Sequence, residues 1–163
     1  YFSPRLSSER LRIANAVKKG ESVLVMFSGV APYPCVIAKN SRPKEVYGIE
    51  LNKSAHKYAE ENVKLNKIKN MFLIQGDVKK IMPKLSKRFD RIIMPLPKDS
   101  PTYLDMALKK IKPKGTIHLY LFAKEEEFKQ IIQVYRKKFS SVKLTACGFY
   151  SPYVHRICLD LRK

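Results

Sequence analysis

Residues 22–32 read SVLVMFSGVAP, and they contain the first unit of the predicted fold. The segment 22–27 is short and almost entirely apolar, as expected for a strand that is buried on both faces of a parallel sheet. A turn-rich loop over 28–34 follows, with Gly29 in it, and a short helix is predicted over 34–40. An apolar strand that passes through a glycine loop into a helix is typical of an α/β fold.

The same alternation continues on both sides of this unit. Predicted helices cover 7–18, 53–66, 78–85, 102–111 and 125–139, and predicted strands cover 45–50, 71–75, 89–94 and 116–122. This order predicts a parallel sheet with right-handed crossovers. The strand-like segments 142–149 and 154–161 have no helix between them, so they form an antiparallel pair. We therefore expect a doubly wound α/β domain, mostly parallel, with an antiparallel C-terminal hairpin.

Positive charge dominates the composition. Lys and Arg number 33 against 14 Asp and Glu, which gives a formal net charge of +19. Such an excess disfavours the compact state through self-repulsion, so a polyanionic partner is a natural reason to keep it. A lysine-rich proteome or adaptation to high temperature is the alternative explanation. The charge predicts a nucleic acid or another anionic surface as the partner, without specifying which.

The length and the residue usage indicate one domain. At 163 residues, 45% of them apolar, the chain is long enough to bury a hydrophobic core. It has no run of about 18 consecutive apolar residues, so no membrane span is predicted. Its three cysteines, Cys35, Cys147 and Cys158, lack metal-ligand spacing, which predicts a reducing, cytoplasmic location and no metal. Because the chain opens on Tyr1 rather than Met, we expect a preceding segment, as large as a whole domain, to be missing.

Glycine and acidic residues follow successive predicted strands at their carboxyl ends. Gly29 follows the first strand, Glu50 ends the second, and Asp77 follows the third. Ligands of open parallel sheets bind at this edge, where an acidic residue after the second strand can accept hydrogen bonds from a ribose diol. A single glycine, without the G-x-G-x-x-G pattern, suits an adenosyl ligand and disfavours an NAD-type dehydrogenase. The alternatives are a solvent-facing Glu50, a simple turn at Gly29 and an Asp77 that caps the helix from Val78.

Several segments resemble one enzyme family in matching order. They are YFSPRLSSER at 1–10, MFSGV at 26–30, VYGIE at 46–50, EENVKLN at 60–66, GD at 76–77, DRIIMPLP at 90–97 and YSPYVH at 150–155. The chain resembles the catalytic domain of the archaeal and eukaryotic tRNA guanine-37 N1-methyltransferases. The wybutosine-pathway aminocarboxypropyltransferase is related to that family. The resemblance covers essentially all 163 residues.

The resemblance implies a Rossmann-like class I methyltransferase sheet and an S-adenosylmethionine-dependent catalytic domain over residues 1–163. It implies methyl transfer from S-adenosylmethionine to N1 of guanine 37 in tRNA, the expected partner. By the same resemblance, the residues that line the cofactor pocket are Phe27, Gly29, Glu50 and Asp77. Arg5 would lie at the mouth of the active site, and Pro95, Leu96 and Pro97 would form the wall beside the target base. In the family a separate N-terminal domain helps to bind the tRNA.

Three positions depart from the family pattern. Val25 stands where the family usually has Asp, Ala31 replaces the second glycine of the loop, and Pro95 replaces the Asn of an Asn-Leu-Pro motif. Pro95 offers no side-chain hydrogen bond to a base. Two alternatives therefore stay open beside methyl transfer. One is aminocarboxypropyl transfer to a tRNA wybutosine precursor, and the other is a non-catalytic RNA-binding remnant of the fold.

The transfer to guanine N1 requires that a proton leave or that the developing oxygen charge be stabilised. Arg5 is the candidate for the second task, because a guanidinium near the oxygen favours the charged form. The alternative role for Arg5 is phosphate binding at the surface. Tyr33, Tyr150 and Tyr153 suit base stacking, with core or hairpin packing as the alternative. The three histidines, His56, His118 and His155, show no metal-like spacing and are expected to be structural or surface residues.

Overall fold

The structure is a computed structural model that describes residues 4–95 and 100–163. Its strands are β1 Ser22–Met26, β2 Glu45–Glu50, β3 Met71–Gln75, β4 Phe89–Met94, β5 Ile111–Lys124, β6 Ser141–Ser151 and β7 Val154–Arg162. Its α-helices are α1 Ser7–Ala16, α2 Pro32–Asn40, α3 Lys53–Leu65, α4 Val78–Ile81, α5 Leu104–Lys110 and α6 Phe128–Arg136. Short 3-10 helices span Pro4–Leu6, Met82–Lys84, Ser100–Tyr103 and Glu125–Glu127. None of the helices in this part of the chain has the length and apolarity to cross a bilayer.

The seven strands form one sheet in the order β3-β2-β1-β4-β5-β7-β6. Strands β1 to β5 are parallel to their neighbours among themselves, and β7 pairs antiparallel with both β5 and β6. The predicted doubly wound, mostly parallel α/β fold with an antiparallel C-terminal hairpin is confirmed. The strand order reverses between β1 and β4, which is where open sheets of this type bind ligands.

Alternating side chains of the central strand enter the two layers that cover the sheet. Leu24 and Met26 belong to one core cluster, and Val23 and Val25 belong to the other. Successive side chains of a strand point to opposite faces of the sheet. All five residues of β1 are nevertheless buried, so both faces of this strand are covered. The helices therefore cover both faces of β1, and only its carboxyl end is left to meet a ligand.

Several predicted elements differ from the structure in their bounds. Helix α2 begins at Pro32, not at residue 34, because Ala31 has a left-handed φ of 63° and Pro32 occupies the first turn, where proline is favoured. Strand β5, predicted over 116–122, extends over Ile111–Lys124, with an irregularity at 113–115 where Lys114 has a φ of 62° and the pairing with β4 shifts register. The helices predicted over 78–85, 102–111 and 125–139 are each divided into a 3-10 turn and a shorter α-helix.

A buried polar chain attaches α1 to the sheet. Arg12 donates to Glu9 at 2.7 Å and to Asp160 at 2.7 Å, and His118 Nδ1 lies 2.6 Å from the same Asp160. Arg91 Nη1 lies 2.6 Å from His118 Nε2. Because a guanidinium can only donate, His118 accepts at Nε2 and its proton is on Nδ1. Burial lowers the pKa of His118 and keeps it neutral, so the predicted structural role of this histidine is supported.

Burial and hydrogen bonding act in opposite directions on Asp160. Burial raises its pKa, while hydrogen bonds from His118 and Arg12 lower it, and the result lies well below the ordinary value. His118, Cys158 and Asp160 also offer ligand atoms within 4.8 Å of one another, as a metal site would. The Asp160 oxygens already accept from Arg12 and His118, and the guanidiniums of Arg12 and Arg91 repel a cation. The cluster is therefore a hydrogen-bonded support for α1.

Candidate functional site

The carboxyl ends of four neighbouring strands carry the residues that the sequence singles out. In the order β3-β2-β1-β4 these ends lead to Asp77, Glu50, Phe27 and Pro95. The register pairs Ile49 with the last residue of β1 and Glu50 with the last residue of β3. The structure therefore brings these residues to one edge of the sheet, on either side of the strand-order reversal. Their roles toward a ligand stay predictions.

Glu50 connects the two loops that follow β1 and β2. Its Oε2 accepts from the backbone N–H of Gly29 at 2.7 Å, and its Oε1 accepts from the N–H of Asn52 at 2.8 Å. The carboxylate is half-buried and held in one orientation. A carboxylate has about four lone-pair sites, and the two backbone N–H groups use half of them. Glu50 therefore retains acceptor capacity on both oxygens.

The loop after β1 has an alternating backbone. Phe27, Gly29 and Ala31 have φ of 53°, 57° and 63°, in the left-handed region that side chains disfavour. Ser28 donates its N–H to the Ile49 carbonyl at 2.9 Å, which ties the loop to the end of β2. A Cβ at Gly29 would meet no atom of residues 4–95 or 100–163 within 4 Å. The glycine is therefore required by its backbone conformation, and the space in front of it is open to a ligand.

A side chain from α3 supports this loop. Asn62 donates from Nδ2 to the Val30 carbonyl at 2.9 Å. It lies within the EENVKLN segment, so this contact explains one residue of the family-like motif. Ala31 is fully buried at the end of the loop, and its left-handed φ is the strain that a glycine would avoid.

Ser28 lies at the same edge of the sheet, and the sequence does not single it out as a site residue. It is only 4% exposed, and its hydroxyl has no hydrogen-bond partner among the described residues. Gly48 of β2 lies against it, because a Cβ built on Gly48 would be 3.0 Å from Ser28 Oγ and 2.8 Å from Leu73 Cδ2. Gly48 lies inside the predicted strand VYGIE, and a glycine inside a strand often marks a close approach of another segment.

Asp77 caps the helix that follows it. Its Oδ1 accepts from the N–H of Lys79 at 2.8 Å, so the capping alternative is supported. Capping uses one carboxylate oxygen, and no described contact uses the other. The N–H of Gly76 donates to the Glu50 carbonyl at 2.8 Å, which holds the ends of β2 and β3 together. Asp77 can therefore cap α4 and still offer an acceptor at the sheet edge.

An aromatic contact closes the β1 end from the other side. Phe27 meets Tyr103 edge to face, with the ring centroids 4.9 Å apart, and Lys79 Nζ lies 5.3 Å from the Tyr103 centroid. No sequence motif links Tyr103 to this edge, because it lies far from Phe27 in the chain. Pro95 is half-buried at the end of β4. Leu96 and Pro97, the rest of the predicted base-binding wall, lie outside the described residues.

Arg5 lies beside the β6–β7 hairpin, at a different position along the sheet from the cofactor candidates. It is exposed in the 3-10 helix Pro4–Leu6 and lines a cleft of about 390 Å³ with Cys147, Tyr150 and Arg156 of the β6–β7 hairpin. None of the four cofactor candidates is among the described lining residues of that cleft. The role of Arg5 at the mouth of the active site stays a prediction.

The tyrosines proposed for stacking divide into two groups. Tyr33 is 4% exposed and meets Tyr120 edge to face at 5.9 Å, so it packs in the core. Tyr153 is 85% exposed, and Tyr150 is 56% exposed while stacked on Phe122.

Val25, the departure at the usual Asp position, is fully buried in an apolar cluster and contributes packing alone.

Comparison with known proteins identifies the fold as that of a known domain type. The family model of the TRM5/TYW2 methyltransferase domain matches residues 1–145. The tRNA (guanine(37)-N(1))-methyltransferase Trm5b of Pyrococcus abyssi is 36% identical over 99% of this chain and 50% of its own length. The tRNA 4-demethylwyosine(37)-methyltransferase Taw21 of Saccharolobus solfataricus is 39% identical over 99% of this chain and 62% of its own length. The chain thus spans about half to three-fifths of these relatives.

Solved structures agree with this assignment. TYW2 of M. jannaschii in complex with AdoMet superposes with a TM-score of 0.85 at 28% identity, over 99% of this chain and 76% of that one. The complex of aTrm5 and tRNALeu gives a TM-score of 0.84 at 31% identity, over 99% of this chain and 47% of that one. The chain belongs to the TRM5/TYW2 methyltransferase domain family.

Proposed function

We propose that this domain transfers a methyl group from S-adenosylmethionine to nucleotide 37 of tRNA, at N1 of guanine. The observation that carries the proposal is the Glu50 carboxylate, fixed by the N–H groups of Gly29 and Asn52 at the carboxyl edge of the sheet. Because the chain spans only part of its relatives, the activity, substrate and partner of the whole protein are proposed from them together with this site.

The residues at the edge fit the parts of the cofactor. Glu50 has free acceptor sites for the two ribose hydroxyls, and the unused oxygen of Asp77 can accept from an adenine amino group. The open space at Gly29 admits the ligand close to the backbone. The half-buried Phe27 ring, held by Tyr103, offers an apolar wall. S-adenosylmethionine supplies an activated methyl on its sulfonium, so the protein has mainly to align the acceptor with it.

The acceptor side uses residues from two regions. Pro95, with Leu96 and Pro97, is proposed as the wall against which the target base lies. Arg5 is proposed to face the guanine oxygen, where its guanidinium stabilises the charge that develops as N1 loses its proton. The described members of these two regions, Pro95 after β4 and the β6–β7 hairpin beside Arg5, lie toward the carboxyl edge of the sheet.

The relatives and the charge support tRNA as the partner. Trm5b and Taw21 both act at position 37, and the net charge of +19 suits a phosphate backbone. The two relatives differ in acceptor, guanine in one and 4-demethylwyosine in the other. We favour guanine and methyl transfer, with aminocarboxypropyl transfer to a wybutosine precursor and a non-catalytic RNA-binding role as competing outcomes. A cytoplasmic location is proposed from the three free cysteines.

The experiment is mass-spectrometric mapping of nucleosides in tRNA incubated with the full-length protein and S-adenosylmethionine. A transcript with guanosine at position 37 is compared with one that has adenosine there. We expect 1-methylguanosine in the first transcript and no modification in the second. An aminocarboxypropyl adduct, or methylation equal in both transcripts, would contradict the proposal. Absence of both modification and calorimetric binding of S-adenosylmethionine would instead favour the remnant.

A further inference from the structure

A positively charged cleft lies between the 3-10 helix Pro4–Leu6 and the β6–β7 hairpin. Its volume is about 390 Å³, and Arg5, Tyr150 and Arg156 are among its lining residues. The other described lining residues are Leu6, Cys147, Gly148 and Phe149, so no carboxylate is among them. The cleft thus presents two guanidiniums beside aromatic rings without an acidic neighbour in its wall.

The Arg156 guanidinium is held by aromatic packing. Its Cζ lies 5.3 Å from the centroid of the Phe122 ring. The Phe122 ring is also stacked on the Tyr150 ring, with centroids 4.1 Å apart and an interplanar angle of 29°. No carboxylate in the described part of the chain forms a salt bridge with Arg156 or Arg5. A guanidinium fixed over a ring and free of an acidic partner keeps its donors available to an outside anion.

A third guanidinium, that of Arg10, lies close enough to Arg156 for their charges to interact. Arg10 of α1 is 4% exposed, and its guanidinium lies 5.8 Å from the Tyr33 centroid. Burial lowers the pKa of Arg10, and the neighbouring charge of Arg156 lowers it further.

The cleft lies along the same edge of the sheet as Glu50. Val154 of β7 pairs with Lys124 at the carboxyl end of β5 and with Ser151 at the carboxyl end of β6. Strand β5 alone separates β4, which Pro95 follows, from β7, which carries Arg156, so the two regions lie roughly 10 Å apart across the sheet at about 4.8 Å per strand. One RNA strand can therefore extend from the target base to the hairpin.

We infer that this cleft binds a backbone phosphate of the tRNA next to the target nucleotide, with Arg156 as its ligand and Tyr150 as a stacking surface for the adjoining base. The inference rests on the proposed function, since Arg5 shares the cleft and is proposed to face the target guanine. Guanidinium matches the geometry of phosphate with two parallel hydrogen bonds, and tyrosine stacks on any base.

A protein surface is the competing occupant, because Phe149 and Tyr153 on the same hairpin are 75% and 85% exposed. Exposed aromatic residues alone suit protein and RNA equally. The two arginines without an acidic neighbour in the cleft favour the polyanion, and the test separates the two occupants by salt dependence.

The test compares Arg156→Gln with Arg162→Gln in the full-length protein. Arg162 lies on the same strand and is exposed, but it pairs with Thr116 at the opposite edge of the sheet, so it is the matched control. Fluorescence anisotropy with labelled tRNA at several salt concentrations gives the dissociation constant and its salt slope. For Arg156→Gln we expect about tenfold weaker binding and a slope smaller by about 0.7–0.9, the value of one phosphate contact. Arg156→Lys should retain the slope and lose part of the affinity, and Arg162→Gln should bind as the wild type.

Equal affinity of the Arg156→Gln and Arg162→Gln proteins would overturn the inference. A loss of affinity with an unchanged salt slope would also overturn it and would indicate a packing surface. The binding assay does not need catalysis, so the two proposals fail separately. A wild type that binds tRNA without modifying it refutes the proposed function alone, whereas an active enzyme with normal binding by Arg156→Gln refutes the phosphate site alone.

Discussion

Replacing Glu50 by Gln removes the charge of the site while preserving its size. The carboxylate accepts from Gly29 at 2.7 Å and from Asn52 at 2.8 Å, whereas a Gln side chain has one carbonyl oxygen and an amide that opposes an N–H donor. One backbone N–H therefore loses its partner. Because the group is half-buried and water can replace part of the bond, the expected cost is about 1 kcal/mol, or about 2–4 °C in Tm for a chain of this size.

The cost for cofactor binding is larger. A hydrogen bond to a charged acceptor contributes about 1.5–3 kcal/mol, so losing the charge toward one ribose hydroxyl should weaken S-adenosylmethionine binding about 10- to 150-fold. Isothermal titration calorimetry measures this dissociation constant, and thermal unfolding of the ligand-free protein measures the stability change. The two measurements separate loss of ligand contacts from loss of loop order.

Glu45→Gln is the matched control. Glu45 begins the strand that Glu50 ends, and its Oε1 accepts from Ser22 Oγ at 2.8 Å and from Lys87 Nζ at 2.7 Å. This variant also loses hydrogen bonds and a charge, but at the opposite edge of the sheet. We expect it to bind S-adenosylmethionine as the wild type does. If both variants bind the cofactor equally well, Glu50 is not a ribose ligand and the adenosine site is misplaced.

Three further predictions concern the loop and the buried polar chain. Gly48→Ala should lower the free energy of unfolding by about 1–3 kcal/mol in urea titrations, because the new Cβ would lie 2.8 Å from Leu73 Cδ2 and 3.0 Å from Ser28 Oγ. An unchanged urea midpoint would contradict this close approach. Ser28→Ala should raise the free energy of unfolding of the ligand-free protein by about 1 kcal/mol, because it removes a buried hydroxyl without a described partner, and a decrease would show that the hydroxyl is bonded. The free energy of unfolding should fall as the pH drops below 6.5, by at most about 1.4 kcal/mol per pH unit for His118, because the unfolded chain takes up a proton that the buried ring does not. Below pH 3.8, Asp160 should add a second loss, because its pKa is lower in the folded chain than in the unfolded one. Urea unfolding between pH 3 and pH 8 tests this, and a flat profile between pH 5 and pH 7 would contradict a neutral buried His118.

Features that depend on nearby residues were predictable from the sequence. The bounds of β2 and β3, the cap of α3 by Asn52 and the capping role of Asp77 all follow from a few adjacent side chains. Helix α2 was placed two residues late, because proline and a left-handed alanine were interpreted as turn residues. A proline at the start of a helix and a proline in a turn look alike in sequence.

Contacts between distant segments were not predictable. Tyr103 meets Phe27 across more than seventy residues, and the Ser28 hydroxyl is buried by Gly48, which follows on the next strand. Neither contact leaves a periodic or spacing signal, because each results from the way strands are ordered in the sheet. The position of β7 between β5 and β6 is of the same kind, since the antiparallel pairing was evident but its neighbour was not.

The insertion of β7 between β5 and β6 affects how the domain is made during translation. Strand β6 leaves the ribosome before β7, yet its only described sheet neighbour is β7, which also covers β5 along nine residue pairs. Until β7 has emerged, the nascent chain presents β5 as an open edge that foreign strands can extend. The emergence of β7 therefore lets the local β6–β7 pairing form and covers the open edge of β5.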